Sequence, residues 1–211
     1  MRIERAADAK YRPADWRFHF DENEIVVRLV RDIHSHPFGF LRELLQNALD
    51  TTRARASLGF DSANSFPNLL PGELRSKFPI QVCLCTEGGD VTSIQVHDQG
   101  LGMTSDVVQN YFLQIGRSWY RSQEFTRNFS FTPTSGFGVG FLSVFAVSSD
   151  VTVTTRWHLD GADSALLMHL PGPRNYLLFE DARRETPGTT VSVNLSKPVD
   201  LGAVKAFLES T

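Results

Sequence analysis

The sequence predicts an α+β domain, a two-layer α/β sandwich with a mixed, mostly antiparallel sheet and helices on one face. Three observations point there. Helical patterns concentrate early in the chain, strand-like runs concentrate late, and two strand-like runs flank the turn residues Gly88-Gly89-Asp90, which is a hairpin signal. The 211 residues are ample for a real hydrophobic core, and 41% apolar with 21% charged residues is ordinary for a soluble globular protein.

The elements follow in order. Residues 1–15 are polar and read as a flexible segment, and 16–211 read as one domain. WRFHF alternates like a short strand. Asp21 is placed to cap a helix through ENEIVVRLVRDIHS, where Ile25, Leu29 and Ile33 recur at helical spacing. Pro37 and Gly39 interrupt that pattern, and FLRELLQNALDTTRARASL predicts a second helix ended by Gly59. The Ser-, Asn- and Pro-rich stretch 61–79 reads as loop. The hairpin strands are PIQVCLCTE and VTSIQVHD. TSDVVQNYFLQI predicts a helix capped by Thr104 or Ser105. Residues 116–135 mix Arg, Ser, Thr and aromatics without clear period, so Trp119, Tyr120 and Phe125 read as exposed and short of core anchors. SGFGVGF leads into a helix-like FLSVFAVS. VTVTTRWH, SALLMHL, NYLLFE and TTVSVNL read as strands, and LGAVKAFLES as a closing helix.

Bulk properties bound the function. A net charge of −3 gives no general electrostatic reason to expect nucleic acid. Cys83 and Cys85 sit two apart on a strand and face the same way, a poor geometry for a mutual disulfide, and no second Cys/His cluster lies nearby. They are expected to be buried or half-buried thiols in a reducing compartment. The start lacks an apolar signal core and no run is long enough to span a bilayer, so a cytoplasmic protein without membrane contact is expected.

Four motifs carry chemistry. In ELLQNALD, Glu43, Asn47 and Asp50 fall on one stripe of a helix. The Asn47 amide oxygen is a hard donor suited to Mg²⁺, which borrows phosphate oxygens, and Glu43 one turn earlier is placed to polarise a water. Alone, the stripe also reads as a solvated polar face. In VHDQGLGMT, a strand delivers Asp98 at its end, and Gly100 and Gly102 let the chain turn close to a ligand. A carboxylate there suits an exocyclic amine such as that of adenine, though the same pattern fits a plain turn. In SGFGVGF, Gly136, Gly138 and Gly140 precede an apolar segment, where backbone N–H groups can face phosphates. It is not a Walker A loop, because no Gly-Lys-Ser/Thr follows. PGTTVSVNL holds Gly188-Thr189 at a strand start and alone is an ordinary turn.

Their order changes the inference. Glu-x₃-Asn-x₂-Asp, then Asp-x-Gly-x-Gly, then a Gly-rich box, then Gly-Thr before a strand resembles the ordered signature of GHKL ATPases with the Bergerat fold. FLRELLQNALD, DQGLGMT and GFGVGF…VTVTT resemble the Hsp90 branch most, over Trp16 to Leu195. Gyrase and MutL relatives have differently written glycine boxes, and histidine kinases carry a phosphoacceptor helix.

The resemblance implies a Mg²⁺-dependent ATPase binding ATP and ADP. It implies Glu43 as general base, Asn47 as Mg²⁺ ligand, Asp98 as acceptor of the adenine amine with Thr189 helping through water, and Met103 packed on adenine. Asp50 would line the nucleoside end. Gly100 and Gly102 would shape the turn, and Gly136, Phe137, Gly138, Val139, Gly140 and Phe141 would form the phosphate box. Residues 104–135 would be a lid, with Arg117 near the lid cation. WRFHF would be an exchange strand in a transient homodimer; client proteins stay unidentified. Ser135 departs from the family's first box glycine, and the 61–79 insertion is unfamiliar. The family completes γ-phosphate stabilisation with an arginine from a following domain, so an isolated N-terminal module is expected to turn over slowly. Two competing functions are an ATP-gated clamp of MORC or MutL type acting on nucleic acid, and a nucleotide-binding scaffold that never hydrolyses.

Overall fold

Period-two burial builds the sheet. In the computed structural model, which describes residues 37–58, 72, 76–129, 132–134, 138–172 and 175–211, six strands form one sheet in the order β1-β2-β6-β3-β4-β5. They are β1 (Gln81–Glu87), β2 (Asp90–His97), β3 (Asp150–Arg156), β4 (Ala165–Leu170), β5 (Leu178–Ala182) and β6 (Gly188–Asp200). Every pairing among the described residues is antiparallel. The α+β expectation holds. The N-terminal segment, the WRFHF strand, the Asp21-capped helix and most of the 61–79 loop lie outside the described residues.

The register of β2 decides where its terminal carboxylate goes. Val91 is buried, and so are Ile94 and Val96. The spacing from Val91 to Ile94 is odd, which regular alternation forbids. A register shift against β6 between Val91 and Ser93 absorbs the extra residue. Asp98 then falls in phase with Ile94 and Val96, on the inward face. On β6 and β3, Thr189 is in phase with the buried Val193, and Thr155 with the buried Val151 and Val153. Three adjacent strands therefore present Asp98, Thr189 and Thr155 at one end of the sheet.

Helix α1 (Gly39–Ser57) buries Phe40, Leu41, Leu44 and Ala48 against the inward face, in one core with Val91, Ile94, Val151, Val153, Met168 and Val193. The closing helix α4 (Leu201–Glu209), capped by Asp200 accepting from the Ala203 amide at 2.7 Å, adds Val204 and Phe207 to that core. Phe38 and Phe207 meet with ring centroids 5.3 Å apart, which joins the two helices.

Four local expectations are corrected. The TSDVVQNYFLQI helix is only α2 (Ser105–Val107), capped by the Thr104 hydroxyl, and it widens into a π-turn over Val108–Phe112. FLSVFAVS is a 3₁₀ segment, Gly140–Ala146, because only a short span separates the glycine box from β3 and its Val and Phe residues are indifferent helix formers. Cys83 and Cys85 are exposed, since β1 is an edge strand whose Val82 and Leu84 pack against the core and leave the odd positions outside.

The fourth correction concerns the aromatics after residue 116. Trp119, Phe125 and Phe129 are buried with Ala54, Leu101 and Val107 in a second core. Phe125 and Phe129 are one turn apart, start on α3 (Gln123–Asn128), and stack at 4.6 Å. Trp119 meets Phe125 edge-on at 5.1 Å and Trp157 at 5.9 Å. No simple period showed this, because the partners come from α1, the turn after β2 and the chain beyond β3.

Candidate functional site

A cavity of about 470 Å³ lies between α1, the inward ends of β2, β6 and β3, and the segment around residues 111–120. Its volume is in the range of small-molecule sites. Glu43 and Asn47 line it from consecutive turns of α1, because i and i+4 share a helix face. Glu43 is half-buried, and burial raises its carboxyl above the ordinary carboxylate range, with Arg42 pulling the other way.

Asp98 forms the polar floor and is 5% exposed. Its Oδ1 accepts from the Gly100 amide at 2.8 Å and the Thr189 amide at 3.1 Å. Both bonds fall on one oxygen, so Oδ2 keeps its acceptor capacity. Burial pushes this carboxyl up to about 6, against the opposing pull of those two amides and of Arg184 and Arg55. Thr189 Oγ1 lies 3.1 Å from Thr155 Oγ1, which accepts from the Met103 amide at 2.9 Å. One chain of polar contacts therefore links β2, β6, β3 and the Gly102–Met103 turn.

The glycine segment closes the other end. Gly138, Val139, Gly140 and Phe141 line the cavity, and Phe141 meets Phe112 at 4.7 Å. Gly138 takes φ +66°, and a side chain there would run into the Arg117 carbonyl. The Gly116 amide donates to the Gly138 carbonyl at 3.0 Å, so Arg117 is held across the box. A side chain at Gly140 would occupy the place of the Glu43 carboxylate. The box glycine and the helix carboxylate are thus in direct apposition.

The structure brings Glu43, Asn47, Asp98, Gly102, Met103, Arg117, Gly138, Val139, Gly140, Phe141 and Thr189 onto one cavity. It does not put Asp50 on that wall. Asp50 is fully buried and accepts from the Thr134 amide at 3.0 Å and the Thr134 hydroxyl at 2.8 Å. Gly100 is likewise off the wall and acts through its amide on Asp98. Gly136 and Phe137 lie outside the described residues.

Residues that the sequence did not flag also line the cavity, among them Thr51, Ser118 and Tyr120. Burial, with Asp50 and Asp98 nearby, raises the Tyr120 phenol above its ordinary value. Thr155 had a legible signal, the alternation of VTVTT, while Tyr120 and Arg184 had none.

Comparison with known proteins agrees with this geometry. The family described as histidine kinase-, DNA gyrase B- and HSP90-like ATPase matches residues 35–169. The chain is 31% identical over 189 residues to the chaperone protein HtpG of Hydrogenovibrio crunogenus, covering 87% of this chain and 28% of that protein. It is 30% identical over 187 residues to HtpG of Borreliella afzelii, covering 86% and 28%, and 28% identical over 195 residues to HtpG of Bdellovibrio bacteriovorus, covering 91% and 29%. The chain thus spans about 28% of the length of these relatives. Among the described residues no helix is long and apolar enough to cross a membrane. With the family matched over well over half its length, the chain belongs to the histidine kinase-, DNA gyrase B- and HSP90-like ATPases.

Proposed function

We propose that this chain is the ATP-binding and slowly ATP-hydrolysing module of an Hsp90-like chaperone. One observation carries the nucleotide assignment. A buried carboxylate, Asp98, spends one oxygen on the Gly100 and Thr189 amides and keeps the other for a donor, at the floor of a cavity whose opposite end is a glycine box. An exocyclic amine matches that acceptor, and the partly apolar wall with Met103 suits a flat base. The chaperone assignment rests on the similarity to the HtpG chaperones.

Glu43 is the proposed general base. Its raised carboxyl suits proton transfer near neutral pH better than an ordinary glutamate does. Mg²⁺ fits the donor set: Asn47 offers a hard amide oxygen on the same wall, and a metal that takes its remaining ligands from phosphate and water needs no protein cage. When bound, the metal would neutralise phosphate charge. The chain's own residues orient the nucleotide, exclude bulk water and take the proton at the Glu43 carboxylate. Residues 104–135 are the proposed lid, with Arg117 held across the glycine box.

Single-turnover hydrolysis and metal-dependent calorimetry test this division of roles. Glu43→Ala is expected to keep nucleotide affinity within about a few-fold and to abolish hydrolysis. Asn47→Ala is expected to lose the Mg²⁺-dependent part of affinity. Identical behaviour of the two variants in metal titrations would overturn the assignment.

A further inference from the structure

The strand junction that carries Asp98 and Thr189 is tied from behind by a single guanidinium. Arg184 lies two residues beyond the end of β5 and is half-buried. Its Nη2 donates to the Asp98 carbonyl at 2.8 Å and to the Thr189 carbonyl at 3.4 Å. Its Nη1 donates to the Thr190 hydroxyl, and its Nε donates to the Thr186 carbonyl at 3.0 Å. The neighbouring Arg183 behaves differently, forming exposed ion pairs with Asp163 and Glu185. Of two adjacent arginines, only one reaches the site.

The position of these bonds matters. The β2–β6 ladder ends at the pair His97–Thr190, so Asp98 lies one residue past the last ladder pair. Beyond that pair, Asp98 and Thr189 are joined by their own two bonds, Asp98 N to Thr189 O at 2.9 Å and Thr189 N to Asp98 Oδ1 at 3.1 Å. Arg184 donates to the carbonyls of both residues and thereby fixes the angle at which the carboxylate enters the cavity. A planar fork with donors in fixed directions can do this; an ammonium cannot.

We propose that Arg184 is a positioning residue for adenine recognition, holding Asp98 and Thr189 in register and keeping a positive charge behind the carboxylate that accepts the base amine. This rests on the nucleotide assignment above. Among the described residues, the charged and titratable groups around Asp98 are Arg184 from the β5–β6 connection, Arg55 from α1, whose Nη1 donates to the Gln99 carbonyl at 2.6 Å, the Tyr120 phenol, and His97, which reaches Thr190 Oγ1 at 2.9 Å. Arg184 and Arg55 both favour the ionised carboxylate against burial. Removing Arg184 removes one of those two charges, so Asp98 then holds its proton to higher pH.

The test is calorimetric titration of the chain with ATP and with GTP, from about pH 5 to about pH 8, for the unaltered protein, Arg184→Met and Arg184→Lys. Protonation of the nucleotide is common to all three and cancels in the comparison. Arg184→Met is expected to lose roughly tenfold in ATP affinity at the alkaline end, to discriminate less between ATP and GTP, and to show its acid loss of binding at higher pH. Arg184→Lys is expected to return the acid limb toward the original position while leaving affinity and ATP/GTP preference reduced.

An Arg184→Met protein that matches the unaltered one overturns the proposal. So does one that weakens with an unchanged ATP/GTP ratio and an unchanged acid limb, since that is the mark of a purely structural role. Should Arg184→Met fail to fold by circular dichroism, Arg184→Lys and Thr190→Val decide: both are expected to weaken ATP over GTP without moving the acid limb, and unaltered selectivity in both sinks the idea. Absence of ATP binding by the unaltered chain sinks the nucleotide assignment itself, which separates the two failures.

Discussion

Asp50 accepts two hydrogen bonds from Thr134, one from its amide at 3.0 Å and one from its hydroxyl at 2.8 Å, across 84 positions of sequence. The fully buried carboxylate of α1 therefore anchors the far end of the proposed lid rather than facing the cavity. A γ-phosphate touching the glycine box and Arg117 would add a second anchor at the same end, an order–disorder switch that ADP lacks the group to drive. A non-hydrolysable ATP analogue with Mg²⁺ is expected to protect peptides covering 104–129 from hydrogen exchange more than ADP does. Asp50→Ala, which removes charge-assisted bonds of about 1.5–3 kcal/mol, is expected to speed exchange there and shrink the difference between the two ligands. Equal protection by both nucleotides in the unaltered chain would count against the lid.

The second core sets how easily that segment opens. Phe125 is 1% exposed and packs on Trp119, Tyr120 and Phe129. Phe125→Ala removes a buried ring, a change that typically costs about 3–5 kcal/mol. Because the cluster is separate from the main core, the cost is expected to fall locally: faster exchange over 104–129 and weaker nucleotide binding, with little change in exchange of β2, β3 and β6. Uniform acceleration across the sheet would show that the two cores unfold as one.

Asp98, the proposed acceptor of the base amine, makes the stability of the fold depend on pH. Burial raises its carboxyl from 3.8 to about 6 in the folded chain, so proton uptake favours the folded state. The sign follows: this contribution is fully present below 3.8 and is lost as pH rises through about 6. The interval corresponds to roughly 3 kcal/mol at neutral pH. Asp98→Asn, which never ionises, is expected to melt at higher temperature than the unaltered chain at neutral pH, and to lose that advantage in acid. The same variant is expected to bind ATP about tenfold or more weakly and to lack the decline in affinity near pH 6. Calorimetry showing unaltered affinity would remove Asp98 from the site.

Exposure of Cys83 and Cys85 is checked by thiol labelling of the native chain. Both are expected to react as fast without denaturant as with it, whereas buried thiols would wait for unfolding.

The sequence by itself determined the α+β class, the strands among the described residues and the α1 stripe, because period-two and period-3.6 burial are local consequences of backbone geometry. It also marked the residues proposed to meet a nucleotide, since Glu43, Asn47, Asp98 and the glycine box are legible from chemistry and order along the chain. Only the tertiary structure decided which way Asp98 faces, because that depends on a register shift between Val91 and Ser93 against β6. It alone turned Asp50 away from the cavity toward Thr134, and it alone buried Trp119 and Phe125, whose partners are Ala54 and Leu101. Arg184 was invisible for the same reason: its contact with Asp98 spans 86 positions, and a long-range hydrogen bond leaves no periodic trace in the residues between its ends.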